Sequence, residues 1–315
     1  MENRVIKMEQ VNGILILNKP AGFTSHDCIM KVRKILRMKK VGHTGTLDPD
    51  VTGVLPICLG KATRVAEYIT DAGKEYIGEV TIGWSTTTED ASGDIVDKKK
   101  IDRPITRIEI LDILKSLTGT ITQKPPIYSA VKVNGKRLYE YALKGQEVEI
   151  PSREVTIYEI ELLDDRELFE GESISFSFRV SCGKGTYIRT LSCMIGDKLG
   201  YPAHMSKLIR SRSASFTLEE AITLEQLAIL AEEGTVFQVL KPIEEGVPNL
   251  PRISVNKTME EKVQNGAVLT VEQLSAENME GPFAIFNERE ELLAIYQHHP
   301  EKKGLCKPVK VIPII

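Results

Sequence analysis

The chain has 315 residues, roughly two domains in length, and 42% of them are hydrophobic, so it can bury a sizeable core. Its 41 Lys and Arg residues nearly balance its 44 Asp and Glu residues. Net charge alone therefore indicates no nucleic-acid partner, and any basic surface must be local.

The cysteines and the chain start indicate the compartment. The five cysteines are scattered and form neither a disulfide framework nor a Cys-x-x-Cys metal pair, which favours a reducing cytoplasm. Residues 1–7 lack the apolar core of a signal peptide, and no apolar run approaches the roughly 18 residues that cross a bilayer. We therefore expect a soluble, unexported protein.

The first half of the chain contains clear local signals. Residues 14–17 predict an apolar strand, which the turn-forming residues 18–22 end. Thr24 can cap a following helix, and Asp27, three residues later, completes a capping box. Later signals are a helix at residues 63–70, a strand at 74–83 and a loop at Pro125 and Pro126.

The second half contains one very regular strand signal. Ile174–Cys182 alternates apolar and polar residues, which predicts a half-buried, antiparallel strand. Leu224–Glu233 predicts a helix, with a capping box at Thr223 and Gln226 and a terminating Gly234. The tail carries strand signals at residues 281–286, 292–296 and 309–311, with a polar turn at 287–290.

Three prolines mark a domain boundary after this helix: Pro242, Pro248 and Pro251. We place a larger domain at residues 1–248 and a small β domain at residues 249–315. The sequence has neither a repeat with a period of 20 to 50 residues nor a low-complexity segment.

The glycine-rich segment at residues 42–55 is the main candidate for chemistry. It combines three glycines with a histidine and two aspartates in apolar surroundings. On composition alone, a catalytic loop and a structural turn are about equally well supported. Asp48 and Asp50 could form a glycosidase carboxylate pair, but their spacing is too common to favour it. The sequence has no phosphate-binding loop, His-Glu-x-x-His motif or dinucleotide fingerprint.

A cluster of positive charges precedes this segment. Its members are Lys31, Arg33, Lys34, Arg37, Lys39 and Lys40, and Lys61 and Arg64 follow the segment. Such a run is typically a solvated helix face, but its position beside the candidate loop favours phosphate binding.

These segments together resemble the TruB-type tRNA pseudouridine synthases of bacteria. The motifs are LNKPxGxTS at residues 17–25, VGHTGTLDP at 41–49, TGVLP at 52–56, GKAT at 60–63, KxY at 74–76, PPxYSAxK at 125–132, GxxxY at 135–139 and CGKGTYIRT at 182–190. The tail, with VxNG at residues 263–266, is similar to a small PUA-type RNA-binding domain. The resemblance is strong through residue 210 and weak after about residue 250.

The resemblance implies an α+β pseudouridine synthase fold: a central, mainly antiparallel mixed sheet flanked by helices and loops, followed by a PUA-like β-rich domain. It implies an enzyme that converts uridine 55 in the T arm of tRNA to pseudouridine on a flipped-out nucleotide, without metal or cofactor. It also implies a cytoplasmic monomer with no obligate protein partner.

The resemblance assigns roles to individual residues. Asp48 is the catalytic carboxylate, Arg189 is its ion-pair partner, and Tyr76 is an aromatic wall and a candidate for proton transfer at C5. His43 wedges into the T loop to extrude the nucleotide. The remaining residues assigned to RNA binding are Lys19, Pro20, Gly45, Thr46, Lys61, Arg64, Tyr187 and Leu208.

Two departures and two alternatives remain. Ile209 stands where relatives often carry a second basic residue, and Asp50 lies at a variable position, which puts a phosphate contact in doubt. One alternative is a tRNA-folding chaperone that needs no catalytic carboxylate. The other is a dyskerin-type, guide-RNA-dependent rRNA pseudouridine synthase, against which the modest tail argues.

Overall fold

A computed structural model describes residues 11–313. The expectation that residues 1–7 carry no signal peptide lies outside the described residues. The helices are α1 (Ser25–Leu36), α2 (Ala66–Asp71), α3 (Arg107–Ser116), α4 (Leu138–Leu143), α5 (Ile188–Leu199), α6 (Leu224–Glu233), α7 (Lys257–Gln264) and α8 (Val271–Leu274). Within residues 11–313, no helix is long and apolar enough to span a membrane.

The strands alternate with these helices along the chain. They are β1 (Gly13–Lys19), β2 (Val41–His43), β3 (Thr52–Leu59), β4 (Lys74–Ile82), β5 (Trp84–Thr86), β6 (Ile95–Lys98), β7 (Ile105–Thr106), β8 (Gly119–Gln123), β9 (Lys132–Val133), β10 (Lys136–Arg137), β11 (Arg153–Leu162), β12 (Leu168–Phe169), β13 (Ile174–Cys182), β14 (Ala203–Ser213), β15 (Phe216–Thr217), β16 (Leu240–Lys241), β17 (Arg252–Ser254), β18 (Leu269–Thr270), β19 (Phe283–Phe286), β20 (Leu292–His298) and β21 (Leu305–Val311).

The chain packs as two compact units. One contains the chain up to Pro49, Val54–Ala72, and the chain from Ala214 onward; the other contains Asp50–Gly53 and Gly73–Ser213. Each unit is described by itself.

In the first unit, β1 lies between β16 and β3, and β2 adds to β3. Helix α1 begins at the predicted capping box, in which the Thr24 hydroxyl accepts the Asp27 N–H and the Asp27 carboxylate accepts the Thr24 N–H. Its buried face, which includes Val32 and Leu36, packs with Leu224 and Leu227 of α6 in one core. The strand predicted at residues 14–17, helix α1 and helix α6 are thus confirmed.

The tail forms a five-stranded sheet in the order β17-β19-β20-β21-β18, with its own apolar core. The predicted strands at residues 281–286, 292–296 and 309–311 correspond to β19, β20 and β21. A second core joins Phe286 and Ile295 of the tail to Val65 and Ile69 beside and within α2. The tail therefore shares apolar packing with the segment that follows the glycine-rich loop.

In the second unit, β4 is paired antiparallel with β13 on one side and β14 on the other, and β11 and β8 extend the sheet beyond β13. Strand β14 also pairs in parallel with Thr52 and Gly53, the first two residues of β3. Predicted strands 74–83 and Ile174–Cys182 are confirmed, and the fold is α+β with a mainly antiparallel mixed sheet.

One predicted helix differs from the structure. Residues 63–70 were expected to form a single helix, but a 3₁₀ turn at Gly60–Arg64 is followed by α2, which begins at Ala66. The Thr63 hydroxyl donates to the carbonyl of Gly60, three residues earlier, and Val65 connects the two segments. This local hydrogen bond favours the tighter 3₁₀ turn over a continuous α-helix.

Candidate active site

The glycine-rich segment is a tight connection between β2 and β3, with strand at both ends. His43 at the end of β2 pairs with Ile57 of β3. Thr44 is fully buried, and its N–H and hydroxyl both donate to the carbonyl of Pro56, at 3.2 and 3.3 Å. Residues 52–55 belong to the largely buried strand β3. The connecting loop therefore spans only residues 44–51 and is shorter than the glycine-rich segment.

Helix α1 holds the loop immediately before Asp48. The hydroxyl of Ser25, the first residue of α1, accepts the Leu47 N–H at 2.9 Å and lies 3.4 Å from the Leu47 carbonyl oxygen, to which it donates. Ser25 and Leu47 are both buried, whereas Asp48 is half-buried. The backbone is thus fixed at one residue before the carboxylate.

Lys19 holds the loop immediately after Asp48. Its side chain is fully buried, and its ammonium donates to the carbonyls of Pro20, Phe23 and Pro49, at 2.9, 2.5 and 2.8 Å. An ammonium has three N–H donors, and these three carbonyls can accept all of them. The structure thus brings Lys19 against the residue that follows Asp48, and Pro20 accepts one of the hydrogen bonds of the same ammonium.

The remaining residues predicted in this loop adopt an irregular backbone. Gly45 has a φ of +133°, a conformation that favours glycine, and its N–H donates to Nδ1 of His43 at 3.3 Å. His43 and Gly45 are half-buried, and Thr46 is exposed. The histidine ring is therefore tied to the loop by its Nδ1 atom.

The predicted basic residues divide into a buried and an exposed group. Arg33 is half-buried and its guanidinium donates to the Val41 carbonyl at 3.1 Å, so it supports the start of β2. Five others are exposed: Lys31, Lys34, Arg37, Lys39 and Lys40. Lys61 and Arg64 lie on the 3₁₀ turn Gly60–Arg64, where Arg64 is exposed and Lys61 half-buried.

In the second unit, Tyr76 lies in the middle of the sheet. It is buried in β4 and is directly opposite Val180 of β13 and Arg210 of β14. Leu208 is opposite Gly78, two residues along the same face of β4. The structure therefore brings Tyr76, Leu208 and the buried Arg210 onto one face of the sheet.

Arg189 is buried and lies in the first turn of α5. Its guanidinium donates to the carbonyls of Thr88 and Tyr128, both at 3.0 Å, and lies 4.0 Å from the carboxylate of Asp90. Two backbone dipoles and one acid therefore hold its planar fork in a fixed orientation.

An adjacent carboxylate also contacts this turn. Glu89 accepts a hydrogen bond from the Thr190 hydroxyl at 2.8 Å. Burial raises the pKa of Glu89, although Thr190 and Arg189 both act to lower it. Glu89 and Asp90 had no role in the sequence analysis, and the only available signal was a run of Thr and acidic residues at the end of β5.

Sequence reasoning also missed Ser25 and Arg210. Ser25 belongs to the quoted LNKPxGxTS motif, but its contact with Leu47 spans 22 residues and has no local signature. Arg210, the neighbour of Ile209, had no role in the sequence analysis. Its burial follows from pairing with β4, which the sequence of β14 does not reveal.

The fold is that of a pseudouridine synthase. The chain aligns with the protein in a crystal structure described as a Cbf5-Nop10-Gar1 complex, with a TM-score of 0.73 and 32% identity over 96% of this chain and 87% of that one. A structure of an H/ACA RNP bound to a substrate RNA containing 2'-deoxyuridine also matches, with a TM-score of 0.73 and 29% identity over 99% of this chain and 88% of that one.

Sequence comparison gives the family. Residues 33–188 match the N-terminal domain of the TruB family pseudouridylate synthases, and residues 189–248 match the tRNA pseudouridylate synthase B C-terminal domain. tRNA pseudouridine synthase B of Bacillus cereus is 54% identical over 303 residues, covering 96% of this chain and 97% of that protein. Its namesake in Geobacillus thermodenitrificans is 56% identical over 301 residues, covering 96% and 99%. The chain belongs to the TruB family of pseudouridylate synthases.

Proposed function

We propose that this chain converts uridine 55 in the T loop of tRNA to pseudouridine, with Asp48 as the catalytic carboxylate. The reaction breaks the bond between N1 and C1′, rotates the uracil and rejoins it through C5. The proton on C5 is lost and N1 gains one, so no external reactant is required and we assign no cofactor. The family and the two relatives named tRNA pseudouridine synthase B support this assignment.

The anchored loop is the observation that carries the proposal. The Leu47 N–H is hydrogen-bonded to the Ser25 hydroxyl, and the Pro49 carbonyl accepts from the Lys19 ammonium. The residues on both sides of Asp48 are therefore held in place. A carboxylate that acts on a sugar or base must be presented in a fixed geometry, since a displacement of about 1 Å can reduce a rate roughly 100-fold. A solvated surface turn needs no such anchoring.

We assign the other roles as follows. Arg189 keeps Asp48 ionised and oriented, Tyr76 and Leu208 line the wall against the extruded pyrimidine, and His43 helps to extrude it. The guanidinium of Arg189 is held in a fixed orientation by two carbonyls, and Tyr76 is buried; both observations are consistent with these roles. Tyr187, Gly45 and Thr46 contact the RNA, and Lys19 and Pro20 shape the floor of the site.

We assign tRNA phosphate binding to the exposed basic residues of α1 and the segment after it, together with Lys61 and Arg64. We further propose that residues 1–248 form the catalytic domain and 249–315 a PUA-like RNA-binding domain. The separate five-stranded sheet of the tail and the end of the family match at residue 248 support this boundary.

The proposal places the enzyme in the cytoplasm as a monomer that acts without an obligate protein partner. All five cysteines are free thiols, four of them buried, which suits a reducing compartment. The guide-RNA-dependent alternative acts inside a ribonucleoprotein, and the fold is shared with an H/ACA RNP bound to a substrate RNA, so the assay must separate the two.

The test uses purified protein and an unmodified tRNA transcript, with no guide RNA or other protein. Pseudouridine is mapped by carbodiimide adducts, and a transcript with cytidine at position 55 serves as the substrate control. We expect a product at position 55. Its absence with correctly folded protein and tRNA would contradict the assignment, and product formed only after a guide RNA is added would favour the alternative.

The role of Asp48 is tested with a matched pair of variants. Asp48→Asn should abolish turnover and leave tRNA affinity nearly unchanged, because the amide cannot act as a nucleophile or base. Asp50→Asn, at an exposed position two residues later, should retain activity. A near-normal rate for Asp48→Asn would remove Asp48 from its role and restore the chaperone alternative.

A further inference from the structure

The first turn of α5 is held by two separate loops. Thr88 and Tyr128 supply carbonyls to the Arg189 guanidinium, and Glu89 accepts from the Thr190 hydroxyl. These contacts fix side chains of the turn. The positions of the Arg189 and Thr190 side chains also depend on the backbone of this turn, which these contacts do not hold.

Gln123 makes that backbone contact. Its side-chain Oε1 accepts the Tyr187 N–H at 3.0 Å, and its Nε2 donates to the Tyr187 carbonyl at 3.2 Å. Tyr187 is the N-cap residue of α5, two residues before Arg189. One amide group therefore pairs with both polar groups of a single backbone residue, as a neighbouring strand would.

Gln123 is itself rigidly placed. It is the last residue of β8, it pairs with Arg153 of β11, and only 1% of its surface is exposed. The Arg153 guanidinium lies 4.8 Å from the centre of the Tyr187 ring, over its face, and also donates to the Gly185 carbonyl. The end of the β8–β11 pair therefore holds Tyr187 by its backbone and by its ring.

The α5 helix has no capping side chain of its own at this end. Tyr187 makes no side-chain cap hydrogen bond, and the residues before it include Gly183 and Gly185, of which Gly185 has a φ of +84°. A helix start preceded by glycines has little local restraint. The Gln123 amide supplies that restraint from a residue 64 positions earlier in the chain.

We propose that Gln123 is a positioning residue for pseudouridine formation, which sets the location of Tyr187 and Arg189 through the backbone at the start of α5. This inference rests on the proposed function, because the role of Arg189 is part of it. Gln123 acts through other residues and has no direct part in the chemistry. Loss of its amide should therefore slow the chemical step much more than it weakens tRNA binding.

The experiment compares Gln123→Met, which keeps the length of the side chain but can neither donate nor accept these bonds, with the wild type. Single-turnover rates and tRNA dissociation constants are measured on the unmodified transcript, and thermal unfolding is followed in parallel. We expect the rate to fall by about 10- to 100-fold, while the dissociation constant changes less than about threefold. The control, Gln238→Met at an exposed glutamine, should match the wild type.

A second variant, Gln123→Asn, covers the case in which Gln123→Met does not fold. It keeps a polar amide at this buried position, but its side chain is one methylene shorter and does not reach the N–H and carbonyl of Tyr187, so the rate should again fall by about tenfold or more at unchanged affinity. A wild-type rate in either folded variant, or equal losses in rate and affinity, would overturn the inference. An inactive wild type would instead contradict the proposed function, so the two failures are distinguishable.

Discussion

Arg189 and Asp90 face each other across 4.0 Å, and both side chains are mostly buried. The same guanidinium donates to the Thr88 and Tyr128 carbonyls, so two loops hold its planar fork. In contrast, the arginines that pair with Glu161 and Glu290 are exposed, with 43% and 54% of their side-chain surface accessible.

This arrangement predicts that Arg189→Lys is not a conservative change. A lysine ammonium is a point charge that cannot reproduce a planar fork directed at two carbonyls, so we expect the single-turnover rate to fall by about 100-fold or more. Arg179→Lys, at an exposed position beside Glu161, is the matched control and should retain its rate. Equal rates for the two variants would show that the fork geometry has no role in the reaction.

Loss of the buried Lys19 ammonium should lower the stability of the fold substantially. Lys19→Met leaves the carbonyls of Pro20, Phe23 and Pro49 without their buried donor, so the free energy of unfolding should fall by about 3 kcal/mol. Denaturant unfolding measures the change, and Lys31→Met, at an exposed position on α1, should stay within about 0.5 kcal/mol of the wild type. Similar stabilities for both variants would mean that water replaces the ammonium.

The basic surface predicts a change in salt dependence. Replacing Lys34 by Gln and Arg37 by Asn, which tolerates the φ of +51° at that position, should reduce the slope of log affinity against log salt by about 1.5. Titrations of tRNA at several salt concentrations give the slope. The control pair, Lys98→Gln with Lys115→Gln, is equally exposed, and if all three proteins gave one slope, α1 would be a solvated face without RNA contact.

The raised pKa of Glu89 should make the stability of the protein depend on pH. Burial raises its pKa above the ordinary value of 4.5, so the folded protein retains a proton that the unfolded chain has already lost. The contribution of Glu89 to the free energy of unfolding therefore falls as pH rises from about 4.5 through the raised pKa. Glu89→Gln cannot lose a proton, and its stability relative to the wild type should increase with pH over that window.

Denaturant unfolding at a series of pH values checks this prediction. Glu161→Gln, at an exposed carboxylate, serves as the control and should follow the wild-type profile. Parallel profiles for Glu89→Gln and the wild type would show that the carboxyl of Glu89 titrates normally.

Local signals explain which elements the sequence could predict. Helices α1 and α6 carry capping boxes, and β13 alternates strictly, so each contains enough information within its own residues. In contrast, α5 starts without a capping side chain, and β14 contains two irregularities in its pairing with β4 that interrupt alternation. These elements depend on packing against neighbours that are distant in sequence.

The same distinction applies to the candidate site. Residues of the glycine-rich loop could be selected because they are consecutive and belong to a recognisable motif. Gln123, Asp90 and Ser25 could not, since each acts through one contact with a residue 22 to about 100 positions away.

The double anchoring of the loop around Asp48 determines which molecule must change shape during recognition. Ser25 and Lys19 fix the backbone on both sides of the carboxylate before any RNA arrives, so the entropy cost of ordering this loop belongs to folding. Because this loop is rigid, it does not change conformation on binding. The RNA must therefore deform, and the deformation energy is that of the RNA. Loosely structured T loops should consequently be better substrates than tightly stacked ones.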